Sequence, residues 1–245
     1  WRRRYASKIR SAEEAAATVQ SGERIHFGLF QSTPPSLAKA LFARRDELRD
    51  VRIHHSVSPF PWVQPGSEEA FRLLSAFVTA ADRDAVAAGL ADYLPVGYFN
   101  SGILPPGLED YDTFMVRMSP PDDGGYCSFG GALWFGRSMA AHSRRVIAEI
   151  DEGAIRTGGD NYLHVDEIEV LVEKSAEDLP IPVPPRTEED VAVTEVIGTL
   201  VASELIHDGD TLQIGFGTVS GAVAAYLGDK RDLGIQTELI PGGVP

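Results

Sequence analysis

The segment Asp208-Gly-Asp-Thr-Leu-Gln-Ile-Gly215 repeats the pattern of an earlier one, Ser21-Gly-Glu-Arg-Ile-His-Phe-Gly28. In each segment a glycine turn precedes four residues that alternate between polar and apolar, and a second glycine closes the run. The two glycines of the later segment each follow their counterparts by 187 residues. Glycine turns around a short alternating run are typical of a strand and its connections, so both segments are predicted as turn and strand in the same register.

The repetition extends to both sides of these strands. Ser11-Ala-Glu-Glu14 and Thr187-Glu-Glu-Asp190 each have the form of a capping box that begins a helix. Downstream, each copy has a helix of small residues and a second strand, Asp50–His54 in the first copy and Asp232–Gln236 in the second. We interpret this order as a duplicated β-α-β unit, although any two such units share the same rhythm.

Six runs in the first three quarters of the chain are predicted as short strands, and Ala-rich helical stretches separate several of them. These runs are Arg24–Phe27, Val51–His55, Leu74–Thr79, Thr113–Met118, Arg145–Ile150 and Ile168–Glu173. Strands that alternate with helices favour an α/β fold with a mostly parallel sheet. We therefore predict two similar open α/β domains, of which the second is incomplete in this chain.

A proline-rich segment divides the two predicted domains. Four prolines lie among the six residues Pro180–Pro185, a density that excludes helix and favours an extended connector. The sequence thus predicts a first domain over 1–178, a linker over 179–187 and the start of a second domain over 188–245. An incomplete sheet exposes unpaired edges, so we expect a continuation or a partner chain to complete the second domain.

Composition restricts the class of protein. Of the 245 residues, 43% are hydrophobic, and 22 Lys and Arg against 36 Asp and Glu give a formal net charge of −14. That charge repels phosphate backbones, so nucleic acid is not an expected partner. The single cysteine, Cys127, excludes an internal disulfide and suits a cytoplasmic location. Apolar runs are too short for a membrane helix, and the six histidines lack metal-binding spacing, so neither a membrane nor a metal is expected.

Two polar residues of the second copy stand where open α/β sheets bind ligands, at the carboxyl ends of strands. Glu238 follows the predicted strand that ends at Gln236, and Gln213 lies in the preceding strand, two residues before Gly215. A carboxylate there can act as a nucleophile, and a nearby amide can stabilise an oxyanion. Alternatively, Glu238 is a solvated loop residue and Gln213 is a buried structural amide.

The glycine-rich segment Gly215-Phe216-Gly217-Thr-Val-Ser-Gly221 lies between a predicted strand and a predicted helix. Such a loop can bring backbone amides close to an anionic group. Its GxGxxxG spacing is also a variant of the dinucleotide fingerprint, with Glu238 placed where an acid would bind a ribose. A nicotinamide-dependent oxidoreductase is therefore an alternative, and a simple tight turn is another.

A third loop follows the predicted strand Thr113–Met118. It reads Ser119-Pro-Pro-Asp-Asp-Gly-Gly-Tyr-Cys-Ser-Phe-Gly130 and is rich in turn-forming residues. We predict that it lines the substrate site, with Ser119 and Tyr126 as contacts; a surface turn without a ligand is the alternative. Cys127 has no sequence neighbour that would lower the pKa of its thiol, so an inert role is expected.

Several segments together match a known family. They are Gly89-Leu-Ala-Asp-Tyr-Leu-Pro95, Ser119–Gly130, Thr157-Gly-Gly-Asp160, Asp208–Gly217 and Leu233–Glu238. On these residues the chain resembles the acetyl-CoA hydrolase/transferase family, particularly the 4-hydroxybutyrate and acetate CoA-transferases that use a glutamate nucleophile. The resemblance covers nearly the whole chain, and its last two segments are the most specific.

The resemblance implies a role for each candidate residue. Glu238 falls on the family's nucleophile, Gln213 on its oxyanion-side amide, and Gly215, Phe216 and Gly217 on the floor of the acyl-CoA site. The loop 28–34, which includes Gly28 and Ser32, is implied to supply facing amides. Acyl-CoA and a small carboxylic acid are the implied substrates, exchanged in a ping-pong reaction without a tightly bound cofactor.

The chain departs from the family pattern at two places. Leu239-Ile-Pro-Gly-Gly243 stands where members often have a Met-x-Ser/Asp-Gly-like run, and Ala154-Ile-Arg-Thr157 stands in place of a Pro-Arg-Thr form. Two further interpretations remain open: an acyl-CoA hydrolase on the same site, and a non-catalytic CoA-binding domain. A homodimer is expected only because closed two-fold dimers are the commonest oligomers.

Overall fold

The computed structural model describes residues 1–96, 111–180, 186–215 and 217–240. Contacts divide the chain into two units, Trp1–Val183 and Pro184–Pro245. The predicted linker 179–187 spans this division and lies partly outside the described residues, as do Phe216 and the segment after Ile240. Each unit is considered by itself.

The strands of the described residues form one large sheet and two small ones. In chain order they are β1 Ile9–Arg10, β2 Arg24–Phe27, β3 Val51–His54, β4 Phe71–Ser75, β5 Ala91–Tyr93, β6 Tyr111–Met118, β7 Tyr126–Ser128, β8 Ser143–Ile150, β9 Tyr162–His164, β10 Val170–Glu173, β11 Thr211–Leu212 and β12 Gly234–Ile235. The large sheet has eight strands in the order β1-β10-β8-β6-β2-β3-β4-β5, and every neighbouring pair is parallel. β7 pairs with β9 in antiparallel fashion, and β11 pairs with β12 in parallel.

The described helices are short except for the first one of the second unit. They are α1 Ala12–Ala17, α2 Pro35–Ala43, α3 Arg83–Ala87, α4 Gly136–Ala141, α5 Glu188–Glu204 and α6 Thr218–Ala224. Both predicted capping boxes are present: Ser11 with Glu14 begins α1, and Thr187 with Asp190 begins α5. No helix of the described ranges has the length and apolar character needed to cross a membrane.

The large sheet is buried on both faces, and its strands alternate between two cores. Phe27 and Met115 lie in one core, which also contains buried residues of α1 and α2. Phe114 and Val116 lie in the other, together with Phe129 and residues of the β7–β9 region. Both-sided burial is typical of parallel sheets, whose crossover helices cover them. The α/β fold with a mostly parallel sheet is thus confirmed.

Some predicted boundaries were wrong. The strand predicted over Leu74–Thr79 is Phe71–Ser75, because the residues after Ser75 turn away toward α3. The segment Ser119–Gly130, predicted as a loop, contains strand β7. Three-residue strands such as β5 and β7 are too short to give a periodic signal, and sheet pairing decides them instead.

The two units repeat the same structure down to the hydrogen bonds. Arg24 pairs with Arg52 and Ile25 with Ile53 in the first unit; Thr211 pairs with Gly234 and Leu212 with Ile235 in the second. Sequence alignment of the copies makes these pairs equivalent.

The turns that precede the paired strands repeat as well. Gly22 and Gly209 have φ of 82° and 83°, and their amides donate to Arg49 O and Arg231 O, both at 2.9 Å. Asp50 and Asp232 are likewise equivalent residues with positive φ. The duplication predicted from the sequence is therefore confirmed in the structure.

Candidate active site

The strand ends of the second unit carry the two predicted catalytic side chains. Gln213 follows β11, and Glu238 comes three residues after β12. Thr237 ties these ends together: its hydroxyl oxygen accepts from Ile214 N at 2.9 Å and lies 2.7 Å from Ile214 O, to which it donates. The amide of Gln236 adds a bond to Leu212 O at 3.0 Å. Glu238 and Gln213 are thus held at adjacent strand ends, and Thr237 is a positioning residue that sequence reasoning missed.

Both side chains are free to meet a ligand on this unit. Glu238 and Gln213 are exposed, and within the described residues neither has a side-chain hydrogen bond or ion pair. The alternative that Gln213 is a buried structural amide is therefore wrong for this unit. An unpaired carboxylate beside an unpaired amide provides a nucleophile and a hydrogen-bond donor for an oxyanion.

The predicted glycine loop follows β11 and leads into α6. Gly215 has negative or extended φ, as does Gly217 at 173°, and a Cβ added to Gly215 would meet no atom within 4 Å. The Ser220 hydroxyl donates to Gly215 O at 2.5 Å and Gly217 O at 3.1 Å, which fixes the loop. Backbone strain and crowding therefore do not explain these glycines, and their effect is to leave the loop surface open. Phe216 lies outside the described residues.

In the first unit, the equivalent loop is fixed by different means. A Cβ on Gly28 would lie 2.4 Å from the carbonyl oxygen of Ser32, so the tight turn requires glycine. Ser32 is buried, and its hydroxyl donates to Ala132 O at 2.7 Å and Phe129 O at 3.3 Å. Gly28 and Ser32 are therefore brought together, and the Ser32 hydroxyl joins this loop to the segment after β7.

Ser119 and Tyr126 lie in a segment that Arg156 organises. The Arg156 guanidinium donates to Ser119 Oγ at 2.9 Å, to Tyr126 O at 3.1 Å and to the Asp122 carboxylate at 2.8 Å. Ser119 is buried, whereas the Tyr126 ring is 48% exposed and packs edge-on against His164. Tyr126 is thus available for contact and Ser119 is a structural anchor. Arg156 had no local signal in the sequence because its partners lie more than 29 residues away.

Three buried histidines form a cluster that sequence reasoning did not find. His26 and His54 are paired across β2 and β3 with ring centroids 4.7 Å apart, and His54 Nδ1 bonds to the Tyr111 hydroxyl. His55 bonds to Thr33 Oγ1 at 3.1 Å and accepts from Trp62 Nε1 at 2.9 Å. Burial lowers the pKa of His54 to about 4 and that of His55 to about 3. All three rings are therefore neutral at pH 7.

Two remaining expectations concern reactivity and metals. Cys127 is buried, and burial raises the pKa of its thiol to about 12, which supports the inert role predicted for it. Over the residues that the structure describes, no three His, Cys, Asp or Glu side chains are grouped as metal ligands.

Residues 1–184 match the family model described as the acetyl-CoA hydrolase/transferase N-terminal domain, which is three quarters of the chain. The chain belongs to the acetyl-CoA hydrolase/transferase family. The resemblance expected from the sequence motifs is thereby confirmed, and the match favours acyl-CoA chemistry over the dinucleotide interpretation of the glycine loop.

Relatives in this family are CoA transferases. The chain is 34% identical to 4-hydroxybutyrate coenzyme A transferase of Clostridium kluyveri, over all of this chain and 56% of that protein. It is 32% identical to succinyl-CoA:cyclohexane-1-carboxylate CoA transferase of Geobacter metallireducens, over 100% of this chain and 55% of that one. The chain thus spans about half the length of the curated relatives it matches.

Solved structures of the same fold agree. RipA from Yersinia pestis superposes with a TM-score of 0.79 at 28% identity, over 99% of this chain and 59% of that one. The 4-hydroxybutyrate CoA-transferase of Porphyromonas gingivalis gives a TM-score of 0.69 at 27% identity, over 100% of this chain and 57% of that one. The two-unit α/β architecture is thus that of CoA transferases.

Proposed function

We propose that this protein is an acyl-CoA:carboxylate CoA transferase whose nucleophile is Glu238. The observation that carries the proposal is the pair of strand ends in which Thr237 holds the free Glu238 carboxylate beside the free Gln213 amide. Family membership supports it, since the relatives named above are CoA transferases. The substrates are an acyl-CoA and a small carboxylic acid.

The first half of the reaction transfers CoA to the enzyme. The Glu238 carboxylate attacks the thioester carbonyl of acyl-CoA, and the Gln213 amide stabilises the oxyanion that forms. Collapse breaks the C–S bond and gives an acyl-glutamyl anhydride and the CoA thiolate. The thiolate then attacks the glutamyl carbonyl, which releases the first carboxylic acid as its carboxylate and leaves a glutamyl-CoA thioester.

The second half runs the same steps in reverse with the acceptor acid. Its carboxylate attacks the glutamyl thioester, giving a new anhydride and CoA thiolate, and the thiolate attacks the acceptor's carbonyl to release the new acyl-CoA and free Glu238. Because the first product leaves before the second acid reacts, the kinetics are ping-pong. Every step is carboxyl and thiol chemistry, so the reaction needs no tightly bound cofactor. If water attacks the thioester instead, the same site is an acyl-CoA hydrolase.

Two properties of the whole protein belong to the same proposal. The substrates are metabolites of the cell interior, which together with a single buried cysteine supports a cytoplasmic enzyme. A homodimer is proposed on the general prevalence of two-fold oligomers.

The test is exchange of CoA between acetyl-CoA and butyrate, followed by chromatography of the acyl-CoA products. Glu238→Ala is expected to lower kcat by about a thousandfold or more, because no other group replaces a missing nucleophile. Glu195→Ala, which removes an exposed carboxylate on α5, is the matched control and keeps the parent rate. Exchange by Glu238→Ala at the rate of the control would overturn the proposal.

A further inference from the structure

A narrow pocket opens beside the Gly28–Ser32 loop in the first unit. Its walls are apolar and aromatic, and its polar side chains are His26 and Ser32. The apolar walls include Leu29, Phe114, Phe129 and Leu133. The pocket lies where β2 ends, on the side of a parallel sheet at which ligands bind.

His26 is the one wall residue whose hydrogen-bonding capacity is unused. Its residue surface is only 2% exposed, and within the described residues neither Nδ1 nor Nε2 has a partner. The ring instead meets the edges or faces of aromatic neighbours, with centroids 5.2 Å away at Tyr111 and 5.4 Å at Phe114. Leaving a buried polar group unpaired costs roughly 1–3 kcal/mol, so a partner that enters the pocket gains affinity from pairing with it. Ser32, in contrast, already donates to Ala132 O at 2.7 Å.

The state of His26 defines the chemistry of that partner. Burial, with the neighbouring His54 and His55, holds the pKa of His26 well below its ordinary value, so the ring is neutral. A neutral imidazole has one N–H donor and one acceptor nitrogen. A hydroxyl group matches both, because it can accept the one bond and donate the other. A carboxylate has no proton to donate and would lose its hydration among phenyl rings, which is costly without a cation.

The repeat gives a second argument for a role at this position. His26 is equivalent to Gln213 when the two copies are aligned at their strands, which pair in the same register. The position that carries the oxyanion amide in the second unit therefore carries another hydrogen-bonding side chain in the first. In a buried strand position surrounded by Phe and Tyr rings, packing alone would favour an apolar residue.

We propose that His26 is a specificity-determining residue that pairs with the hydroxyl of a short hydroxyacyl group, whose carbon chain lies against Leu29 and Phe114. This inference rests on the proposed CoA-transferase function and names the substrate class of that activity. Hydroxylated short acids are then preferred over the corresponding unsubstituted acids and over dicarboxylic acids of equal length.

The test compares four acceptor acids with the same four-carbon chain: butyrate, 3-hydroxybutyrate, 4-hydroxybutyrate and succinate, with acetyl-CoA as donor. For the parent protein, kcat/KM is expected to be at least about tenfold higher for one of the hydroxy acids than for butyrate or succinate. His26→Leu keeps the side-chain volume but removes both hydrogen-bonding atoms. It is expected to reduce that preference by about tenfold, the effect of one buried hydrogen bond. His26→Gln keeps a donor and an acceptor and should restore part of the preference.

The outcomes separate the two proposals. Thermal unfolding checks that His26→Leu folds, and it should be at least as stable as the parent because an unpaired polar group is gone. If the parent exchanges CoA but the preference is unchanged in His26→Leu, or if succinate is preferred, His26 pairs with a water only and the inference is overturned. If no acid is used by the parent protein, the transferase proposal itself fails, and the specificity inference fails with it.

Discussion

Glu149 is a fully buried carboxylate on which the first unit is expected to depend. It lies on β8, and its oxygens accept hydrogen bonds from Ser36 N at 2.9 Å, Leu37 N at 3.0 Å and Ser36 Oγ at 2.8 Å. The two amides belong to the first turn of α2, whose N-terminal N–H groups have no partner within the helix. The Ser36 hydroxyl in turn accepts from the amides of Ser175 and Ala176, both at 3.0 Å. One carboxylate thus joins β8, α2 and the segment after β10.

The magnitude follows from counting donors. Glu149→Leu leaves two helix amides and one hydroxyl buried without an acceptor, at roughly 1–3 kcal/mol for each amide, while the hydroxyl can rotate. The lost attraction of a carboxylate for the helix N-terminus adds about 0.5–1 kcal/mol. Removing the desolvated charge offsets part of this, because burial raises the pKa of Glu149 despite its hydrogen bonds. We expect a net loss of about 3 kcal/mol, and about 1 kcal/mol for Glu149→Gln, which keeps one acceptor oxygen.

Tryptophan fluorescence during urea unfolding measures this change in the correct unit. All three tryptophans, Trp1, Trp62 and Trp134, belong to the first unit, and Trp62 is fully buried. The signal therefore reports the unit that contains Glu149. A Leu variant as stable as the parent, or a Gln variant less stable than the Leu variant, would refute the reasoning, because either result would mean that the hydrogen bonds to α2 add no stability.

Two further predictions concern stability of the first unit. Since burial lowers the pKa of His54 to about 4 and of His55 to about 3, their contribution is complete above pH 6.5 and is lost as pH falls; Asp82, with a pKa raised to about 6, acts in the opposite direction. The net change from pH 7 to pH 5 is a loss of about 2 kcal/mol in urea unfolding, and equal stability at both values would contradict it. Gly28→Ala, which places Cβ 2.4 Å from Ser32 O, is expected to cost about 2–3 kcal/mol. The equivalent Gly215→Ala, with no atom within 4 Å, should change thermal unfolding by less than about 0.5 kcal/mol; similar effects at both positions would contradict the steric argument.

Local signals were enough to predict the parallel α/β fold and its duplication. The glycine turns at Gly22 and Gly209 and the alternating residues after them specify their structure within a few positions, and both copies fold as predicted. Likewise, Glu238 and Gln213 were found because strand ends of α/β sheets can be read from the order of elements.

Groups defined by distant contacts could not be predicted. Glu149 looks like one more acidic residue in an alternating strand, and its role depends on a helix 113 residues earlier. The neutrality of His26 follows from aromatic rings that come from β3, β6 and α4's flank, at Phe135. A residue's environment inside a folded core is not encoded by its neighbours in sequence, so such sites appear only when the strands are paired.

The central claim is that Glu238 carries CoA as a thioester during turnover, and intact-mass measurement of the trapped intermediate tests it most directly. The protein is incubated with acetyl-CoA without an acceptor acid and quenched in acid, and the adduct is located by peptide mapping. We predict a covalent CoA adduct on the peptide that contains Glu238, its loss when butyrate is added, and inactivation by borohydride only when acetyl-CoA is present. A protein that exchanges CoA with no adduct on that peptide, or with the adduct on another residue, would contradict the account.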